Sequence, residues 1–157
     1  MEEQEMLRIY DKYHNSVYRL AFAHCKNRAD AEDITSEVFL KRFEHRKPFA
    51  DERHETAWMM RVTINRAKDL LRSFRRRFTV PLEEAEAVCV TDEEKAVFLA
   101  VMELPEKYRS VIHLYYYEGY SVKEIAEMTG KSETSVQTQL YRARKLLKTA
   151  LGEEFGI

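Results

Sequence analysis

Residues 118–144 read EGYSVKEIAEMTGKSETSVQTQLYRAR, and this stretch decides the fold class. Ser121 and Glu124 stand at capping-box spacing, so the serine caps a helix and the glutamate reaches back to the same turn. A short helix carrying Ile125, Ala126 and Met128 follows, about Val122–Met128. Thr129-Gly130 stops it, because glycine supplies the left-handed conformation a tight stop needs. Ser132 then caps a second helix, about Ser132–Leu151. Val136, Leu140, Ala143 and Leu147 recur at four, three and four, which gives that helix one inward face. Its outward face carries Glu133, Thr134, Ser135, Gln137, Thr138, Tyr141, Arg142, Lys145 and Lys148. The pattern is a helix-turn-helix. Short polar groups near the helix start suit base edges, and the later cations suit phosphates. Gln pairs bidentately with adenine in a major groove. A plain antiparallel helix pair would share the apolar spacing but not the capping box, turn glycine and basic exit together.

Working outward, the rest of the chain is also helical. Leu7, Tyr10, Tyr13, Val17, Leu20, Ala21 and Cys25 fall at threes and fours, predicting a helix over Met6–Lys26. A short polar break follows, with Asp30 as the candidate cap of a helix carrying Ile34, Val38, Phe39 and Phe43. His45–Arg53 is a connection containing Pro48. A third helix is predicted over Glu55–Arg77 on the stripe Trp58, Met59, Val62, Ala67, Leu70, Leu71 and Phe74. Trp58 lies in that stripe and is therefore assigned to the core. Phe78–Thr91 holds Pro81 and the acidic Glu83, Glu84 and Glu86, and reads as a linker. Beyond it, helices are predicted over Asp92–Glu103 and from Pro105 to about Gly119. The expected fold is all-α, with two small helical domains, 1–77 and 92–157, joined by a short linker at 78–91.

The composition bounds the function. The chain has 157 residues, a net charge of −1, 45% hydrophobic residues and only 4 Gly and 3 Pro. That is a globular composition, and no apolar run is long enough for a membrane helix. The acidic start does not resemble a secretory signal, so cytoplasmic work is expected. The near-neutral total conceals a basic first half and an acidic second half. Basic charge gathers at Arg61, Arg66, Lys68, Arg72, Arg75, Arg76 and Arg77, and again at Lys131, Arg142, Arg144, Lys145 and Lys148. Two basic patches on a neutral chain suggest a polyanion touched at two places. The carboxylates are spread as helix-surface charges, so no acid–base pair converges. There is no glycine-rich phosphate loop, and His24, Cys25, Cys89 and His113 lack metal-ligand spacing. No enzyme activity, cofactor, metal or small-molecule substrate is expected.

Three motifs carry a resemblance to bacterial RNA polymerase sigma factors of the extracytoplasmic-function group. Asp30–Phe43, DAEDITSEVFLKRF, resembles the polymerase-binding helix of region 2.2. Trp58–Arg72, WMMRVTINRAKDLLR, resembles regions 2.3 and 2.4, which open and read the −10 element. Leu104 to Arg144 resembles region 4, which reads the −35 element. The resemblance covers about residues 6–151, and the three motifs in this order are specific where a lone helix-turn-helix is not.

The resemblance implies site residues and partners. Asp33, Ser36 and Glu37 would face the β′ clamp helices of core polymerase, with region 4 meeting the β flap. Lys41 could instead pair with Glu37 inside the chain. Phe49 and Asn65 match positions of a pocket for a flipped −10 base, and Arg61, Lys68, Arg72, Arg75 and Arg76 would hold that DNA. Arg109, Lys131, Ser132, Thr134, Ser135, Gln137, Thr138, Tyr141, Arg142 and Lys145 match the −35 contacts. The chain departs from the family at Ser36, where glutamine is common, and at Gln137 and Gln139, where basic residues are usual. Promoter DNA, core polymerase and an anti-sigma factor are the implied partners. Two alternatives stay open at this point: a stand-alone helix-turn-helix regulator, and a sigma-like interaction module that does not itself start transcription.

Overall fold

The computed structural model describes residues 1–74 and 91–152. Arg75, Arg76, Cys89 and nearly all of the expected linker lie outside the described residues.

Helix α1 runs Glu3–Cys25 and buries Ile9, Tyr13, Val17, Leu20, Ala21 and Cys25. Leu7 and Tyr10, expected in the same stripe, are 56% and 41% exposed. The helix stops at Lys26, which takes the left-handed conformation (φ 57°) and sends its N–H to the Phe22 carbonyl at 2.8 Å. Helix α2 spans Arg28–Glu44. Its cap is Asn27, whose side chain accepts the Asp30 N–H at 3.0 Å, so Asp30 is not the cap. The reason is local: Asn27 is extended and leaves its side chain free to turn back, whereas Asp30 is already helical. Helix α3 spans Glu52–Phe74, starting earlier than the apolar stripe suggests. Asp51 sets that start by accepting the His54 N–H at 2.8 Å.

Helix α4 (Asp92–Met102) and helix α5 (Glu106–Ile112) follow. After α5 the chain widens into a π-helical turn, His113–Tyr117, where the Glu118 N–H reaches the His113 carbonyl at 3.1 Å. Apolar spacing predicts only a continuous α-helix there. Helix α6 (Val122–Thr129) carries the expected capping box complete, and Gly130 follows at φ 72°. Ser132 caps helix α7 (Glu133–Leu151), and Val136, Leu140, Ala143 and Leu147 are buried. Among the described residues all regular structure is helical.

Helices α1, α2 and α3 pack on one another, as do α5, α6 and α7, and Leu20, Ile34, Val38, Met59, Met60, Ile112, Leu114, Ile125 and Leu140 belong to one buried cluster. The two groups are in contact. Helix α1 lies on α5, α3 lies on α6, and the rings of Phe22 and Phe98 stack with centroids 5.9 Å apart.

Candidate polymerase and nucleic-acid interfaces

Helix α7 presents the surface expected of a recognition helix. Thr134, Ser135, Gln137, Thr138, Tyr141, Arg142 and Lys145 are all exposed. The Lys145 ammonium lies 5.2 Å from the Tyr141 ring centroid, which ties two of these side chains together. Ser132 is exposed, but its hydroxyl accepts the Ser135 N–H at 3.1 Å and so serves the helix start. Arg144 turns back, donating to the Tyr116 hydroxyl at 2.6 Å, and braces α7 against the π-helical turn.

Helix α2 leaves Asp33, Ser36 and Glu37 exposed on one face. Glu37 approaches Arg66 of α3 at 4.0 Å, so its intramolecular partner is not Lys41. Leu40, one turn beyond Ser36, is 61% exposed on that face. A large aliphatic group in water beside three polar ones is a candidate contact that the motif reading missed. Its helical spacing from Ser36 and Glu37 was the available signal.

The −10 candidates on and near α3 divide. Phe49 stacks on His45 (centroids 4.7 Å) and meets Trp58 edge-on (5.6 Å), with the Arg42 guanidinium 5.0 Å from its centroid. Arg42 is itself buried and held by Glu55 at 2.6 Å. Trp58 is half-buried, packing on the core from one side and on this aromatic cluster from the other. Phe49 lines a cleft of about 590 Å³ that Asn65 does not touch. Asn65 is exposed and lines a separate depression of about 360 Å³ with Lys68, Asp69 and Arg72. The structure therefore does not bring Phe49 and Asn65 into one pocket. Arg72 lies 3.8 Å from Asp69. Arg61 donates to the main-chain carbonyl of Glu127 in α6, and Arg53 meets the Glu127 carboxylate at 3.3 Å. The first helix of the helix-turn-helix thus occupies part of the α3 surface assigned to DNA.

Arg109, expected among the −35 contacts, is elsewhere. It is 6% exposed and donates to the main-chain carbonyls of Ala23 at 2.6 Å, His24 at 2.5 Å and Leu104 at 2.8 Å. The physical reason is the end of α1. Its last carbonyls have no helical partner, and a buried guanidinium satisfies two of them. Around it, Lys26 donates to the Met102 carbonyl at 2.8 Å. His24 is fully enclosed between Glu106, 3.1 Å from its Nδ1, and the Ser110 hydroxyl at its Nε2. A carboxylate only accepts, so Nδ1 carries the proton and Nε2 accepts from Ser110. Burial lowers the His24 pKa, and the His24 hydrogen bond lowers that of Glu106.

At the other end of α1, Glu118 accepts from Ser16 at 3.1 Å, Arg19 at 3.0 Å and His113 at 3.1 Å. Burial pushes this carboxyl up, but the His113 and Arg19 hydrogen bonds and charges outweigh it and hold it at about 2. Burial pushes the Cys25 thiol up to about 12, leaving it a protonated packing group. Among the described residues no cluster of His, Cys, Asp and Glu could hold a metal ion.

Residues 9–77 match the Sigma-70 region 2 family and residues 94–147 match the Sigma-70, region 4 family. The RNA polymerase sigma factor SigV of Bacillus subtilis is 32% identical over 141 residues, covering 87% of this chain and 85% of that protein. The extracytoplasmic-function sigma factor SigM of Mycobacterium tuberculosis is 28% identical over 148 residues, covering 92% of this chain and 76% of the relative. Among solved structures, the sigma factor RpoE of Bartonella quintana, in complex with the anti-sigma factor NepR, has the same fold. The TM-score is 0.74 at 15% identity, over 94% of this chain and 97% of that one.

Proposed function

The chain belongs to the extracytoplasmic-function group of the sigma-70 family of RNA polymerase sigma factors, and on that premise we propose how its surfaces divide the work of starting transcription. Asp33, Ser36, Glu37 and the exposed Leu40 of α2 dock on core polymerase. Asn65, Lys68 and Arg72 of α3, with Arg61 once it is released, engage the −10 element. The open face of α7, from Thr134 to Lys145, lies in the major groove of the −35 element. Arg109 acts within the protein, not on DNA. The two domains are residues 1–77 and 92–157, and the protein catalyses no reaction itself.

One observation carries this reading: a fully capped helix-turn-helix whose second helix leaves seven of the assigned contact residues exposed and pointing away from the core. Burial of Arg109 and coverage of Arg61 fit the polymerase-free form, in which the halves are closed on each other. Separation of the halves then accompanies holoenzyme assembly. An anti-sigma partner is proposed by analogy with the NepR complex of the Bartonella protein. No helix among the described residues is long and apolar enough to cross a membrane, and action in the cytoplasm is proposed.

The test is transcription in vitro with bacterial core polymerase on fragmented genomic DNA from the source organism. New transcripts that begin at shared upstream elements and depend on the protein support the reading. Core binding without transcripts would favour an interaction module, and absence of core binding would refute the polymerase assignment.

A further inference from the structure

Where the two halves meet, a cleft of about 420 Å³ opens between α3, α5 and the turn joining α6 to α7. Four cationic side chains line it: Lys68 and Arg72 from α3, Lys107 from α5 and Lys131 from the turn. Glu106 is the sole carboxylate in the lining, and it is engaged by His24. Arg72 approaches Asp69, but Lys68, Lys107 and Lys131 have no ion pair among the described residues. Burial first, and then the charges of Lys68 and Lys107, lower the pKa of Lys131 against the pull of Glu106. Gln139 lines the same cleft, and its amide oxygen is buried without a hydrogen-bond partner.

Like charges lining one cleft raise the energy of the closed form until an anion enters. The volume falls in the range of about 300–1,000 Å³ typical of small-molecule sites. Four cations on opposite walls match a short chain of phosphates better than one phosphate, because the walls can then be bridged. We propose that the cleft between the two halves binds an oligophosphate, free or carried on a nucleotide, and that the bound anion holds the protein closed. The site exists only in the closed form, because α3 supplies one wall and the turn before α7 supplies another. Its side chains overlap the promoter contacts under the proposed function, since Lys68 and Arg72 serve both. Oligophosphate and promoter DNA then exclude each other.

The test uses the full chain and does not depend on transcription, so its failure is distinct from failure of the sigma-factor reading. Sodium tripolyphosphate, ATP without magnesium, and sulfate are titrated calorimetrically at one fixed ionic strength. The expected result is one-to-one binding of tripolyphosphate, weakened about tenfold or more by Lys68→Gln and by Lys131→Gln. Lys148→Gln, outside the cleft at the end of α7, should change it by less than about twofold. Tighter binding of ATP than of tripolyphosphate assigns the ligand to nucleotides, and equal binding assigns it to the bare chain. In an Arg109→Met protein, whose halves are loosened, tripolyphosphate should restore compactness by small-angle scattering. Equal binding of sulfate, an equal loss in Lys148→Gln, or no binding at millimolar tripolyphosphate would overturn the proposal.

Discussion

Replacing Arg109 with methionine tests the closed arrangement directly. Methionine keeps most of the apolar stem and the volume, so packing between α1 and α5 is largely retained. The guanidinium is lost, and with it two hydrogen bonds across the interface, to the Ala23 and His24 carbonyls at 2.6 and 2.5 Å. Hydrogen bonds from a charged donor contribute about 1.5–3 kcal/mol each, and each removal leaves a buried carbonyl unsatisfied. The two act as a unit, so the smaller total is the safer figure: about 3 kcal/mol, or roughly 150-fold in the ratio of closed to open molecules. The third bond, to Leu104, lies on the Arg109 side of the interface and does not enter that ratio. The assay is small-angle scattering with far-ultraviolet dichroism as the folding control. A single compact body of this length has a radius of gyration of about 15 Å, and separated halves should exceed roughly 18 Å. Arg109→Met should move toward the larger value with helicity unchanged. Arg109→Lys, which retains a donor for one carbonyl, should fall between. If Arg109→Met scatters as the parent does and unfolds at the same urea midpoint, the reasoning that this side chain joins the halves is refuted.

Three further predictions follow from the same geometry. Glu118 is held at about 2, below its value of 4.5 in an unfolded chain, so its contribution is complete above about pH 4.5 and disappears as the pH falls toward 2. That contribution is about 3 kcal/mol, and Glu118→Gln should flatten the urea midpoint across this window while lowering it at pH 7. Lys26 combines a left-handed backbone with a hydrogen bond to Met102. Lys26→Gly and Lys26→Met both lose the bond, but only glycine relieves the backbone, so by urea unfolding the glycine variant should be the more stable by about 1 kcal/mol. On a promoter found by the transcription screen, Asn65→Ala and Arg142→Ala should each cost about 1–3 kcal/mol of promoter affinity in the holoenzyme; unchanged affinity in both removes them from the site.

What was legible in the sequence was whatever has a local physical cause. The Ser121–Glu124 box, the stop at Gly130 and the inward face of α7 all rest on contacts within a few residues, and all are present in the structure. Local ambiguity explains the displaced cap of α2, since Asn27 and Asp30 both carry capping side chains and only backbone direction separates them. The π-helical turn at His113–Tyr117 left no signal because its apolar positions fit an α-helix equally well. Arg109 was illegible for a different reason. Its partners lie 85 and 86 residues away and are main-chain carbonyls, which every residue has, so no pattern of side chains could announce them. A motif position that resembles a DNA contact and a position that closes the fold look identical in one dimension. Trp58 shows the same limit in miniature: its stripe correctly puts one side on the core, while its second side meets Phe49 through a loop.

The chemistry of the interface suits a contact that, under the proposed function, opens. Beside the Phe22–Phe98 stack, it carries many hydrogen bonds and ion pairs: Arg109 to carbonyls, Lys26 to a carbonyl, Arg19 and Ser16 to Glu118, and Arg53 and Arg61 to Glu127. Water replaces each of these partners when the halves part, so the net cost is a small fraction of the gross interaction. The large aliphatic side chains Leu20, Val38, Leu140 and Leu147 belong to one buried cluster that runs through both halves. A polymerase that binds with nanomolar affinity releases about 12 kcal/mol, several times the cost estimated for losing the Arg109 bonds. The apolar part of the contact, Phe22 on Phe98 included, costs about 25 cal/mol for every Å² exposed on opening, and no water compensates it. Under the proposed function, the polar ties across this contact let the two halves close on each other in the free protein and separate on polymerase.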